Sequence, residues 1–309
     1  KIGGSAFGEC RELRSVTLPE GLEEIGAGAF YINYCQLRSL TIPASVSSIG
    51  VKAFAGGCGK LDEIIVAEGS ARFCIVDGML YDKIDKILKW CPENATKVTL
   101  PEDTKEIEEY AFQECDRLTS LVLPETVEAI GSCAFDGVTS VTSLVLPPRL
   151  KRIGSQAFLC CYALQSLYFR GNAPYSEMWP FDYTSDDLIC YVRKNSLGWK
   201  GYGYADSTEL PEFWPEGDSR ARGIACWDEE PPLENFTIEY LLNGGANYEL
   251  NPSLYNECSL PLPLYHPRHD GHAFSRWLLD GNAITEIPMG TTGDITLMAE
   301  WDGDYEPPV

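Results

Sequence analysis

The feature that most constrains this chain is a recurring cassette, Ile-Gly-x-x-Ala-Phe, at Ile2-Gly3, Ile25-Gly26, Ile49-Gly50, Ile130-Gly131 and Ile153-Gly154, with a relative at Ile107. From one Ile to the next the spacings are 23, 24, 58, 23 and 23 residues, and 58 is one period of 23 plus an insertion of 35. A fixed period of this length means a solenoid, a stack of units that each touch only their neighbours. Such stacks serve as binding surfaces more often than as pockets for chemistry.

Each copy sets Ala and Phe side by side (Ala6-Phe7, Ala29-Phe30, Ala53-Phe54, Ala111-Phe112, Ala134-Phe135, Ala157-Phe158), then Cys, then Leu, then a short alternating apolar stretch. The stretch reads Val16 and Leu18 before Pro19, Leu40 and Ile42 before Pro43, Leu121 and Leu123 before Pro124, and Leu144 and Leu146 before Pro147. Alternation at period two predicts a strand with one buried face, and proline ends its hydrogen-bond ladder. One unit cannot bury its own Leu, Phe and Ile, so units about 4.8 Å apart share a core in a parallel β-solenoid, with a turn or short helix at each Ala-Phe segment. Truncating a stacked Leu or Phe to Ala should cost about 2–5 kcal/mol.

Between the two buried members of each strand one side chain must face out. Along the array these are Thr17, Thr41, Ile65, Val122, Val145 and Tyr168, a row that turns apolar toward its C-terminal end. Exposed β-branched and aromatic side chains in a line form the kind of patch that marks an interaction site. β-propensity alone would also select Val and Ile there. This strip is the candidate ligand-binding site.

The units resemble the BspA-like leucine-rich repeat, IGxxAFxxCxxLxxLxLPxxLxx, over about residues 1–171. Members of that family are mostly bacterial cell-surface proteins implicated in adhesion to host matrix proteins or other cells, so the resemblance implies an extracellular or surface location and a protein ligand. The stretch from about 67 to 97, which contains Cys74-Ile75-Val76-Asp77-Gly78 and Tyr81-Asp82-Lys83, departs from the repeat and predicts two short strands around a turn at Lys83–Asp85.

Charge and length narrow the partners. The 309 residues exceed one ordinary domain. A formal net charge of −22 argues against nucleic-acid phosphates and anionic lipid, which would repel the chain, and serves solubility as well. No apolar run of 18 residues predicts membrane insertion. The chain starts inside a repeat at Lys1-Ile2-Gly3-Gly4, from which we expect a leader and a first cap upstream.

Twelve cysteines would ordinarily suggest disulfides in an exported protein. Yet Cys10, Cys35, Cys58, Cys115 and Cys161 occupy one repeat position, which Val138 fills in the remaining unit, so the site wants a small apolar side chain. Stacked equivalents about 4.8 Å apart with parallel Cβ vectors exceed the roughly 3.8 Å Cβ separation of a disulfide. We expect a ladder of buried free thiols there, with the adjacent Cys160 and Cys161 pointing to opposite sides of an extended chain. No compact Cys-x-x-Cys pair offers a metal site.

From Gly171 the period is lost and aromatic density rises, with Trp179, Phe181, Tyr183, Tyr191, Trp199, Tyr202, Tyr204, Phe213, Trp214 and Trp227. A cap over the open end of the core explains this, and 172–232 read as that flank plus a linker. Aromatic faces over 175–227 beside Asp186 and Asp187 make a glycan the alternative ligand. The run Asp228-Glu229-Glu230-Pro231-Pro232 is a charged, proline-stiffened linker.

Beyond it, Phe236–Tyr240 and Asp294–Ala299 alternate as strands and Asn243-Gly244-Gly245 predicts a turn. The strings YLLNGGANYELNP, GHAFSRW and ITEIPMGTTGDITLMAEW resemble the Listeria–Bacteroides (internalin B-type) repeat. That implies a β-grasp spacer or interaction module over 233–302, before a tail at 303–309. The usual GYTFAGW is here Gly271–Trp277, with His272 in place of the aromatic. All three histidines, His266, His269 and His272, lie in this module beside Asp270, but Pro263, Pro267 and Gly271 argue against the helical spacing that would converge them on a metal.

No GxSxG, HExxH, P-loop or dinucleotide fingerprint is present. Cys258 is the one thiol near the histidines, without an evident orienting partner. The expectation is therefore a mainly β chain, a leucine-rich-repeat β-solenoid of about 23-residue units with one inserted segment, followed by a small β-grasp-like module. It is not an enzyme and uses no cofactor or metal. It binds a protein, with a glycan or a purely architectural role as the competing readings.

Overall fold

The computed structural model describes residues 1–8, 10–31, 36–55, 61–176, 179–197, 221–227 and 233–302. Cys35, Cys58, Trp199, Tyr202, Tyr204, Phe213, Trp214, the linker 228–232 and the tail 303–309 lie outside them. The described residues form two compact units, one built on Lys1–Val192 with the strand Ala221–Trp227, the other on Arg193–Leu197 with the residues from 233 to 302.

The first unit is a β-solenoid of about seven turns. Its strands pair in parallel with their equivalents in the next turn: Ser39–Ile42 with Glu63–Val66, Lys97–Thr99 with Ser120–Val122, and Ser143–Leu146 with Ser166–Phe169 and then Leu188–Arg193. A second run of two-residue strands carries the cassette isoleucines, with Ile25 opposite Ile49, Ile107 opposite Ile130, and Ile130 opposite Ile153. Phenylalanines stack in the core, Phe7 on Phe30 on Phe54 and Phe112 on Phe135 on Phe158 on Phe181, with ring centroids 4.8–5.8 Å apart.

The cassette glycine is explained by closeness of approach. A Cβ at Gly50, Gly131 or Gly154 would sit 2.4 Å from a backbone nitrogen of the preceding turn, and at Gly26 2.5 Å. The segment before each Ala-Phe is a turn rather than a helix, with left-handed backbone at Ser5, Lys52, Tyr110, Cys133 and Gln156.

Three sequence expectations change. The repeat does not stop at Gly171: Ser176 pairs with Ile153, Phe181 stacks on Phe158, and Cys190 pairs with Leu167, so one more turn runs to Arg193 without the cassette. The inserted segment holds three strands, not two. Phe73–Val76, Met79–Asp82 and Ile87–Trp90 form two hairpins, the first turning at Asp77-Gly78 with φ of 49° and 81°. An Asp-Gly pair with both φ positive is the tight hairpin turn favoured by strand twist. The third strand then joins the solenoid, with Leu88 opposite Ile107 in the isoleucine column.

The third change concerns the thiols. Cys115 and Cys161 are buried, as is Val138 at the same position, but Cys10 is exposed. Phe7 and Leu13 of the same turn are only partly buried as well. Cys160 is half-buried beside buried Cys161, but its φ of 57° makes it a left-handed turn residue, not part of an extended chain.

The second unit holds a five-stranded sheet in the order Leu254–Tyr255, Phe236–Leu241, Ile295–Asp302, Ala273–Leu279, Asn282–Ile284. The central pair is parallel and the others antiparallel. Asn243 and Gly244 turn the chain with φ of 45° and 89°. Buried indoles find acceptors, Trp277 Nε1 donating to the Tyr265 carbonyl at 3.1 Å and Trp301 Nε1 to that of Leu242 at 2.9 Å. Among the described residues no helix is long and apolar enough to cross a membrane.

Candidate binding face of the solenoid

Strand alternation decides which side chains reach solvent. In Ser39–Ile42 and Ser143–Leu146 burial alternates between exposed and buried, so Leu40, Ile42, Leu144 and Leu146 enter the core while Thr41 and Val145 point out. Thr17 is exposed but sits just outside any regular strand. Ile65, Val122 and Val145 are 43%, 53% and 44% exposed, high for aliphatic side chains, and Tyr168 is half-buried.

Register shows which of these are neighbours. Thr41 lies opposite Ile65, and Val145 opposite Tyr168. The six do not form one uninterrupted row: Thr41 and Ile65, then Val122, then Val145 and Tyr168 lie in three separate sheets, and the inserted hairpins fall between the first two in sequence. Two members escaped the sequence reading. Thr99 pairs with Val122, and Tyr191 pairs with Tyr168, their rings stacked at 4.7 Å and 12°. The spacing from Tyr168 to Tyr191 is the repeat period itself, a signal that was present but lay beyond the last recognisable cassette.

A second outward column lies beside the first, Lys97 opposite Ser120 in one sheet and Ser143, Ser166 and Ile189 in register in the next. From Lys97 to Tyr191 the two columns therefore contain hydroxyls, aliphatics, two tyrosines and a single lysine, with no carboxylate. The chain has 46 Asp and Glu residues. Earlier turns differ: Glu63 occupies the second column, and Arg38 pairs with Asp62 at 2.9 Å beside it. At the strand ends Arg170 Nη1 meets Glu125 at 2.8 Å.

Carboxylates gather elsewhere. Burial pushes Glu93 up to about 7, helped by Glu114 and Asp116, and burial raises Glu114 and Asp136 as well. Glu108 stands where other turns have the cassette glycine. Burial raises it to about 7 against the pull of the Lys89 ammonium, with which it forms an ion pair; the side chains are 10% and 8% exposed.

The other sequence candidates scatter. Phe181 is core, whereas Tyr175, Trp179 and Tyr183 of the last turn, and Tyr162 of the turn before, are exposed. His269 meets His272 at a ring separation of 4.5 Å while His266 packs on Phe274 at 4.8 Å. Among the described residues no group of three or more His, Cys, Asp or Glu side chains could hold a metal ion.

The solved structures resembling this one share its fold. A leucine rich cell surface protein from Faecalibacterium prausnitzii A2-165 superposes with a TM-score of 0.56 at 22% identity, over 72% of this chain and 62% of its own. A leucine-rich repeat protein from Eubacterium ventriosum ATCC 27560 does so with a TM-score of 0.51 at 23% identity, over 59% of this chain. The match spans about half, 49%, of that longer protein. No curated protein sequence matches the chain. Residues 1–74 and 85–191 match the BspA type leucine rich repeat region in 6 copies. The gap in that match, 75–84, falls inside the hairpins that break the parallel ladder, and its far end lies inside the turn that carries no cassette. With well over half of its length in these repeats, the chain belongs to the BspA type leucine-rich-repeat family.

Proposed function

We propose that the chain is an extracellular or cell-surface binding protein whose solenoid engages a protein ligand through the sheet face around Val122, Val145 and Tyr168. The observation that carries this reading is the lack of carboxylates in the two outward strand columns between Lys97 and Tyr191, on a chain whose net charge is −22. Cores of protein interfaces are depleted in charge and enriched in tyrosine. A face selected for solubility alone would share the acidity of the rest. Family membership and the surface protein of similar fold support the location.

Ring geometry favours protein over sugar at this face. Tyr168 and Tyr191 cover one face of each other, which removes half of the aromatic surface that sugar stacking would use. A glycan remains the second reading for another place, the last two turns, where Tyr162, Tyr175, Trp179 and Tyr183 are exposed. The C-terminal unit, which resembles the Listeria–Bacteroides repeat, extends or supplements the binding surface in this reading. Its parallel central strand pair agrees with a β-grasp arrangement.

A host-matrix protein panel run beside a glycan array tests the choice. Once a protein ligand is captured, Val122→Asp and Val145→Asp should weaken binding more than about tenfold, or about 1.4 kcal/mol, without lowering Tm. Unchanged affinity would move the site off this face, and glycan hits lost in Trp179→Ala would move it to the last turn.

A further inference from the structure

Cys91 lies outside the repeating thiol column and yet meets it. Its amide donates to the Ala111 carbonyl at 2.8 Å, as Phe112 donates to Ala134 and Phe135 to Ala157. Cys91 therefore holds, in the turn that the insertion contributes, the place that other turns give to the stacked phenylalanine. A thiol in place of a ring leaves its sulfur next to the thiol column of the following turn. Cys115 Sγ lies 3.6 Å from the Pro92 carbonyl oxygen and 3.9 Å from that of Cys91, while Cys91 Sγ lies 3.8 Å from the same Pro92 oxygen. Two sulfurs thus gather round one oxygen, and both residues are buried.

Cys91 and Cys115 escape the geometry that bars disulfides within the column. Column members are equivalent residues with parallel Cβ vectors, held a full turn spacing apart. Cys91 and Cys115 occupy different positions in their turns, so their side chains can converge. Two other thiols are engaged differently: Cys161 Sγ approaches the Phe135 carbonyl at 3.1 Å, and Cys160 Sγ accepts from Tyr162 at 3.3 Å.

We propose that Cys91 and Cys115 are an oxidisable pair that closes a disulfide between the inserted turn and the turn after it. The oxidant is a disulfide of the exchange class, either oxidised glutathione or the active-site disulfide of a thiol oxidoreductase. One cysteine, as thiolate, attacks a sulfur of that disulfide and releases one thiol. The second then attacks the resulting mixed disulfide and releases the other. Two electrons pass from the pair to the oxidant and the two protons leave with the released thiols. Hydrogen bonding to the Cys91 thiol, then burial, holds Cys115 well above the ordinary thiol range. Exchange is therefore fast only while this seam is open, during folding or local opening.

The test uses the full chain, folded in reductant and equilibrated across a glutathione redox series, then alkylated in denaturant and mapped by mass spectrometry. The expected result is a cross-linked Cys91–Cys115 peptide about 2 Da lighter than its two thiol peptides, with Cys161 and Cys190 recovered alkylated. The oxidised protein should also unfold at higher urea than the reduced one. Cys115→Val, which places in the column the residue type that Val138 already supplies, should show no redox dependence of its urea midpoint, and Cys91→Ser serves as the same control should that variant fail to fold. Recovery of both thiols alkylated throughout the series, glutathione adducts alone, or an equal redox shift in the variants would overturn the proposal.

Discussion

The regular turns and the seam at the insertion solve the same problem by different means. In the regular ladder each cassette glycine amide reaches the isoleucine carbonyl below, Gly50 to Ile25, Gly131 to Ile107 and Gly154 to Ile130, all at 2.8 Å. A Cβ at any of these three glycines would sit 2.4 Å from the backbone of the turn below, although Glu108, in the same place, still donates its amide to Leu88 at 3.0 Å. At the seam the Ile49 carbonyl receives the Lys89 ammonium at 2.9 Å, and the next residue in the glycine place is Glu108, paired with that lysine. Where the backbone ladder is interrupted, a buried ion pair bridges it. The hydrophobic core divides at the same place, one cluster reaching Trp90 and the other beginning at Met79. A break in the repeat thus exchanges inexpensive backbone hydrogen bonds for charges that must be desolvated.

The comparison is most sharply tested by removing one partner of the pair. Lys89→Met should leave Glu108 buried without its cation and destabilise the fold by about 3–5 kcal/mol, whereas Lys89→Met with Glu108→Met should recover most of that loss. Equal destabilisation in both, measured by urea unfolding, would show that the pair is not what joins the two halves.

A smaller effect is expected in the regular ladder. Gly131→Ala places a methyl against the backbone of Glu109, and the forced separation of two turns should cost about 1–3 kcal/mol. The same substitution at Gly69, where an added Cβ meets nothing, lacks that clash and tests only the left-handed φ of 86°. If the two cost the same, close packing is not why the cassette carries glycine.

The mildest test is pH. Glu93 and Glu108 have folded values near 7, above the ordinary 4.5, so the folded chain binds protons more readily than the unfolded one between those limits. Stability should therefore fall as pH rises from about 4.5 to about 7 and level off above it. The carboxyls held low by their partners, Asp103 by Lys86 and Asp294 by the Thr237 amide, lose their contribution only at more acidic pH. Glu93→Gln and Glu108→Gln should each flatten the slope in that window; an unchanged profile in both would reject the assignment.

How far the sequence reaches is visible in the last turn. Phe158, with its Ala and its Ile-Gly, was legible because three short-range constraints coincide. Phe181 sits a full period later with Trp179-Pro180 before it and Ser176 in the isoleucine place, so its stacking on Phe158 and the pairing of Ser176 with Ile153 reveal the turn. The candidate face was half legible for the same reason. Val122 and Val145 follow from alternation, but Thr99 and Tyr191 belong to turns whose cassettes are absent.

What the sequence determined alone is whatever repeats: the period, the buried columns and the outward positions of each strand. Stacking makes each of these a local requirement met again about 4.8 Å further on, so the pattern survives translation along the chain. What only the tertiary structure decided is where repetition fails. That Leu88-Lys89 stands in for Ile-Gly, that Lys89 reaches both Ile49 and Glu108, that Cys91 replaces a ring and meets Cys115, and that the outward row divides at the insertion all depend on contacts between non-equivalent residues. No period encodes those contacts, because each is a single solution to burying polar groups where the ladder ends.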